Sequence, residues 1–149
     1  MYLNYNSNDT FVSTGGKNIE LNKPTICFVH GAGQNHFSFT QQIRYFANRG
    51  YNVLSPDFPG HGFSKGQCNS SIEDDTIWLS ELLQEIGINE FVIAGHSQGC
   101  LTAIEFNKLS FKSYLIKAES LVQLFISNTG TKPKFLTGCV PVAAMSLNS

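Results

Sequence analysis

Gly95, Ser97 and Gly99 spell G-x-S-x-G within residues 91–103, "FVIAGHSQGCLTA", where an apolar run gives way to small and apolar residues. A serine hydroxyl is a poor nucleophile until it is exposed, given a base and faced by donors for a developing oxyanion. A sharp strand-to-helix turn meets two of these needs. It pushes the hydroxyl outward, and glycines two residues to either side keep side chains from colliding. The helix that follows aims its N-terminus at Ser97, so the unbonded Gln98 N–H and the positive dipole end face incoming negative charge. An ordinary glycine-lined turn is the competing reading, and the apolar strand in front argues against it.

A second oxyanion donor has to come from another loop at the same sheet edge. Residues 30–35, "HGAGQN", follow a strand-like run and carry glycines that let backbone pass close to a substrate. The Ala32 N–H is the favoured donor, with the Gly33 N–H as the alternative.

The elements that must hold these pieces are legible from periodicity. Residues 1–20 contain two short β-like stretches, "MYLNYN" and "TFVST", with turn-forming residues between and after them, which predicts antiparallel edge strands. Apolar runs at residues 25–29, 51–56 and 90–95 read as strands buried on both faces. Helical patterning covers residues 36–50, with Phe39, Ile43, Phe46 and Ala47 near one face and Gly50 at the C-terminal cap position. A second helix starts near Ser70 or Ser71, each with an acid three residues on, as a capping box requires. Its apolar stripe is Ile72, Leu79, Leu82, Leu83 and Ile86, with Thr76 as the one polar residue on it and Ile77 off it. A third helix follows Ser97. Strand alternating with helix predicts an α/β domain with a mainly parallel sheet and flanking helices.

Together, "HGAGQN", "DFPGHGFS" and "GHSQGC" resemble the three landmark motifs of the α/β-hydrolase superfamily in order and approximate spacing, across residues 24–109. The resemblance implies Ser97 as nucleophile and Ala32 and Gln98 as oxyanion donors. It implies that Asp57, Gly60 and Gly62 shape backbone and take no part in the chemistry. His30, Gly31, Gly33, Gly95, His96 and Gly99 belong to the same motif-shaping set, and His30, His61 and His96 read as hydrogen-bonded loop histidines. Epoxide hydrolases and haloalkane dehalogenases of this fold carry aspartate at the position of Ser97, which argues against those two chemistries here. Cys100 stands where many relatives have a second glycine and reads as a helix-packing residue.

In this fold the triad runs serine, then acid, then histidine along the chain. Histidine is absent after His96, and the only later acids are Glu105 and Glu119. The expectation is a partial domain over residues 1–149 that breaks off before the cap and the last strands. Residues 111–149 would then hold a further strand, at "SLVQLFIS", and the root of a cap. The leading function is hydrolysis of an ester, thioester or similar acyl compound through Ser97. A non-catalytic chain that binds a small molecule or a protein is the alternative, and carbon–carbon bond hydrolysis or perhydrolysis on the same fold is a third.

Composition sets wider limits. A net charge of -1 gives no basic surface for nucleic acid or anionic lipid. The apolar tail "GCVPVAAM" is far shorter than the roughly 18 residues a membrane span needs. Cys27, Cys68, Cys100 and Cys139 are widely spaced, so no metal site and no cofactor is expected, and reduced thiols in a cytoplasmic setting are the simplest reading.

Overall fold

A computed structural model describes residues 1–5, 7–109 and 142–146. Strands β1 (Tyr2–Tyr5) and β2 (Asn8–Ser13) form the expected antiparallel hairpin, and β2 pairs antiparallel with β4 (Asn52–Pro56). Strand β3 (Thr25–Val29) lies between β4 and β5 (Glu90–Gly95) and is parallel to both. A last strand, β6 (Val142–Ser146), runs antiparallel along β5, giving the order β1-β2-β4-β3-β5-β6. The sheet is therefore more mixed than the sequence predicts. Its parallel part is the central trio β4-β3-β5, and antiparallel strands flank it on both sides. The strand expected at residues 120–127 lies outside the described residues.

All five residues of β3 are buried, and they alternate between two cores. Ile26 and Phe28 pack on Phe39, Ile43 and Phe46 of the segment that follows β3. Cys27 and Val29 face the other way, onto Leu79, Leu82, Leu83 and Phe106. That period of two is the reason an apolar run without polar alternation makes a central strand.

The predicted helix at 36–50 divides into a 3₁₀ turn, His36–Phe39, and α1 (Thr40–Ala47). Asn35 starts the turn by accepting the Phe37 N–H at 3.0 Å. The helix is capped by Asn48, and Gly50, expected at the cap position, takes the left-handed conformation two residues later, at φ +84°. Helix α2 (Ile72–Ile86) takes the Ser71 register of the two offered, the Ser71 hydroxyl accepting the Asp74 N–H at 3.1 Å. Helix α3 (Gln98–Leu109) follows β5. The stripe of α2 differs from expectation in one respect: Asp75 is buried beside Thr76, so two polar residues lie on it. Thr76 satisfies itself by donating to the Ile72 carbonyl at 2.7 Å. Helix α1 covers one face of the sheet, and α2 and α3 cover the other.

Candidate active site

Three loops leave the same edge of the sheet, because β4, β3 and β5 are adjacent and parallel. They are residues 57–71 after β4, residues 30–35 after β3, and the turn His96-Ser97 after β5. Ser97 is exposed and has φ +53°, a left-handed conformation that a non-glycine residue rarely adopts. The turn is tight: Gly99 N–H donates to the His96 carbonyl and Cys100 N–H to the Ser97 carbonyl, both at 2.9 Å. A Cβ on Gly95 would overlap the Gly99 backbone, and one on Gly99 would overlap the Val29 carbonyl. Both glycines are required by close approach, as the sequence reading holds. The His96 N–H adds a bond to the Val29 carbonyl at 3.0 Å, fixing the turn to β3.

The loop after β3 lies directly against the serine. A Cβ on Gly31 would stand 3.0 Å from Ser97 Cβ and 3.1 Å from both the His96 carbonyl oxygen and Gln34 Oε1. Gln34 joins the two loops, because its Oε1 accepts from Gly31 N–H at 3.2 Å and from His96 Nδ1 at 3.0 Å. Neither the Ala32 N–H nor the Gln98 N–H has a hydrogen-bond partner among the described residues. For Gln98 this follows from its place as the first residue of α3.

His30 is 1% exposed and uses both ring nitrogens. Its Nδ1–H donates to the Gly31 carbonyl at 2.8 Å, and its Nε2 accepts the Phe58 N–H at 3.1 Å. That pattern requires the neutral ring, and burial holds its pKa below the ordinary histidine value. His61 donates from Nδ1 to the Pro59 carbonyl at 3.0 Å. All three motif histidines are thus hydrogen-bonded within the loops.

Asp57 is fully buried and works as a backbone tie. One oxygen accepts the His36 N–H at 2.7 Å, the other the Phe63 N–H at 2.9 Å, and the His36 ring nitrogen Nδ1 lies 2.9 Å away. Gly62, at φ +52°, leaves room that a Cβ would take from this carboxylate. Gly60, at φ +72°, lies against Cys68, whose Sγ would be 2.8 Å from a Cβ there. Gly33 also has positive φ, +66°, with open space around it.

Residues 24–106, more than half of the chain, match the family model described as "alpha/beta hydrolase fold". The chain belongs to this family. As an alpha/beta hydrolase it is 32% identical over 77 residues to the (E)-2-((N-methylformamido)methylene)succinate hydrolase of Acinetobacter baylyi, a match covering 51% of this chain and 29% of that one. It is 27% identical over 107 residues to epoxide hydrolase 2 of Siraitia grosvenorii, covering 65% and 33%. Among solved structures, MGS-M2, an alpha/beta hydrolase from a Medee basin deep-sea metagenome library, superposes with a TM-score of 0.64 at 21% identity, covering 71% and 38%. The chain therefore spans about a third of the length of these relatives. Both of these curated relatives are named as hydrolases.

Four side chains that organise this alpha/beta hydrolase site escape the sequence reading. Gln34 lies within the quoted motif "HGAGQN" and His36 directly after it, but nothing in their spacing marks them. Asp75 carried a usable signal, since it sits three residues after Ile72 and four before Leu79, on the apolar face. Its carboxylate accepts from Gln98 Nε2 at 3.1 Å and from Asn69 Nδ2, the fourth of the set, at 3.0 Å. Among the described residues no group of His, Cys, Asp and Glu is arranged to hold a metal, and no helix is long and apolar enough to cross a membrane.

Proposed function

We propose that this chain carries the nucleophile and the oxyanion site of a serine hydrolase acting on esters, thioesters or related acyl compounds. The observation that carries the reading is Ser97, exposed at φ +53° on a glycine-walled turn, with Gly31 of the neighbouring loop against its Cβ. Ser97 Oγ attacks the acyl carbon, and the carbonyl π electrons move onto oxygen to give a tetrahedral adduct. The N–H groups of Gln98 and Ala32 donate to that oxygen. A single donor of this kind is worth about 3–4 kcal/mol in the barrier. The hydroxyl proton needs a base, and the hydrogen-bonding of His30 disqualifies it. In this reading the histidine and its carboxylate come from sequence beyond Ser149, and residues 1–149 form part of one domain. A cytoplasmic setting with reduced thiols belongs to the same proposal.

Serine at position 97, in place of an acid, supports acyl transfer over the epoxide opening named for one relative. A fluorophosphonate probe tests the proposal on the native polypeptide that carries this sequence. Covalent labelling confined to Ser97, abolished in Ser97→Ala together with hydrolysis of an activated ester, is the expected result. Ester hydrolysis undiminished in Ser97→Ala would overturn it. The lack of any histidine after His96 favours a second reading, a non-catalytic chain that binds a small molecule. A folded native protein that takes no label but binds a ligand would establish that reading instead.

A further inference from the structure

Asp75 is a carboxylate 6% exposed, on the face of α2 that otherwise packs Leu79, Leu82 and Leu83 into the core. Desolvating a carboxylate is costly unless it is hydrogen-bonded, and an apolar residue would suit this face better. Service to the α2 dipole does not explain it, because Glu73 and Asp74 stand in the same first turn and are exposed. Asp75 instead spends its two oxygens on amides from two other segments. Oδ1 takes Asn69 Nδ2 from the loop after β4, and Oδ2 takes Gln98 Nε2 from the first residue of α3. Two helix N-terminal turns, its own and that of α3, meet at this carboxylate. Among the described residues no lysine or arginine pairs with it.

We infer that Asp75 is a positioning residue for the oxyanion site: by holding the Gln98 side chain against α2, it fixes the first turn of α3 and the direction of the Gln98 backbone N–H. The inference rests on the serine-hydrolase reading above. Gln98 is the only residue of that site with a side chain long enough to fold over its own N–H, and the bond to Asp75 draws it the other way. The charge alone cannot be the reason for the arrangement, since a carboxylate behind the oxyanion site opposes developing negative charge. Position and charge therefore make opposite predictions. An asparagine at 75 can keep both contacts, accepting from Asn69 and donating to a flipped Gln98 amide, while it removes the charge. An alanine keeps neither contact.

The test measures the rate of fluorophosphonate bond formation at Ser97, separately from probe affinity, in the native polypeptide and its variants. Asp75→Ala and Gln98→Ala should each slow bond formation about tenfold with affinity unchanged, less than the hundredfold or more that loss of a donor costs. Asp75→Asn should keep most of the wild-type rate, and Asp75→Ala should add nothing in the Gln98→Ala background. Gln98 is half-buried, so its variant reads out the tether even where Asp75→Ala fails to fold. A wild-type protein that takes no label overturns the serine-hydrolase reading and the role of Asp75 with it. Labelling of the wild type with an undiminished rate in Gln98→Ala, or with Asp75→Asn as slow as Asp75→Ala, overturns the role of Asp75 alone.

Discussion

Replacing Asp57 by alanine should destabilise the fold by about 3 kcal/mol, and the figure follows from which groups lose their acceptor. Two backbone N–H groups, of His36 and Phe63, and the ring nitrogen of His36 would be left facing a space. Each buried donor without a partner costs about 1–3 kcal/mol. Phe63 is 46% exposed, so water can take over its N–H, whereas His36 is 6% exposed and cannot be rehydrated in place. The two His36 donors therefore supply most of the loss, at the lower end of the roughly 3–5 kcal/mol seen when one partner of a buried pair is removed. Against a net stability of roughly 5–15 kcal/mol this is a large fraction. Urea unfolding followed by circular dichroism reads it directly. With a slope near 2 kcal/mol/M the midpoint should fall by about 1.5 M. Asp57→Asn should fall between wild type and alanine, since its one oxygen still accepts while its NH₂ group faces a donor. A midpoint shift below about 0.5 M at unchanged slope would mean that the loop after β3 does not depend on Asp57, and the tie assigned to it would be wrong.

His30 predicts a pH dependence. Burial holds its folded pKa below the ordinary value, so the unfolded chain binds the proton more readily. Its contribution to stability is therefore present above the unfolded pKa of about 6.5 and is lost as pH falls below it. Urea midpoints at two pH values on either side should separate less in His30→Gln than in wild type, and equal separation would refute the neutral-ring assignment. Cys27 predicts a reactivity. Full burial pushes its thiol up to about 12, so native protein should leave it unalkylated by iodoacetamide while exposed Cys68 reacts. Peptide mass mapping before and after unfolding distinguishes the two sites, and native modification of Cys27 would contradict its place in β3.

What the sequence made legible was whatever follows from period and punctuation. Strand β3 is readable because both its faces are buried, so its residues are apolar throughout. The turn at Ser97 is readable because backbone contact at Gly95 and Gly99 leaves no room for any Cβ, and a residue type reports that directly. The mixed sheet was less legible, since an apolar run does not declare the direction of its neighbour. Strand β6 shows this, pairing antiparallel to β5 from 142–146. Side-chain ties were least legible. The two amide contacts of Asp75 span 6 and 23 residues, and no local pattern links those positions. An acid on an apolar stripe was the available sign, but Asp75 stands beside Glu73 and Asp74 in the first turn of α2, where acids are ordinary.

The same contrast explains why one half of the proposed chemistry assembles within residues 30–98. Oxyanion donors are backbone groups, and their placement needs only adjacent parallel strands, short loops and glycines where chains touch. Strands β4, β3 and β5 meet that need with contacts between neighbours in the sheet. A base and its acid are side chains that must reach across the same edge from further elements, and no local rule supplies them. His30 illustrates the difference. It is an imidazole one residue from the loop glycine that touches Ser97, yet its two nitrogens are committed to holding Gly31 and Phe58 in place. A histidine that shapes the loop after β3 in this way cannot also take a proton from Ser97, because protonating Nε2 would set it against the Phe58 N–H. Proximity to Ser97 and fitness as its base are separate properties, and in this chain the hydrogen bonds decide between them.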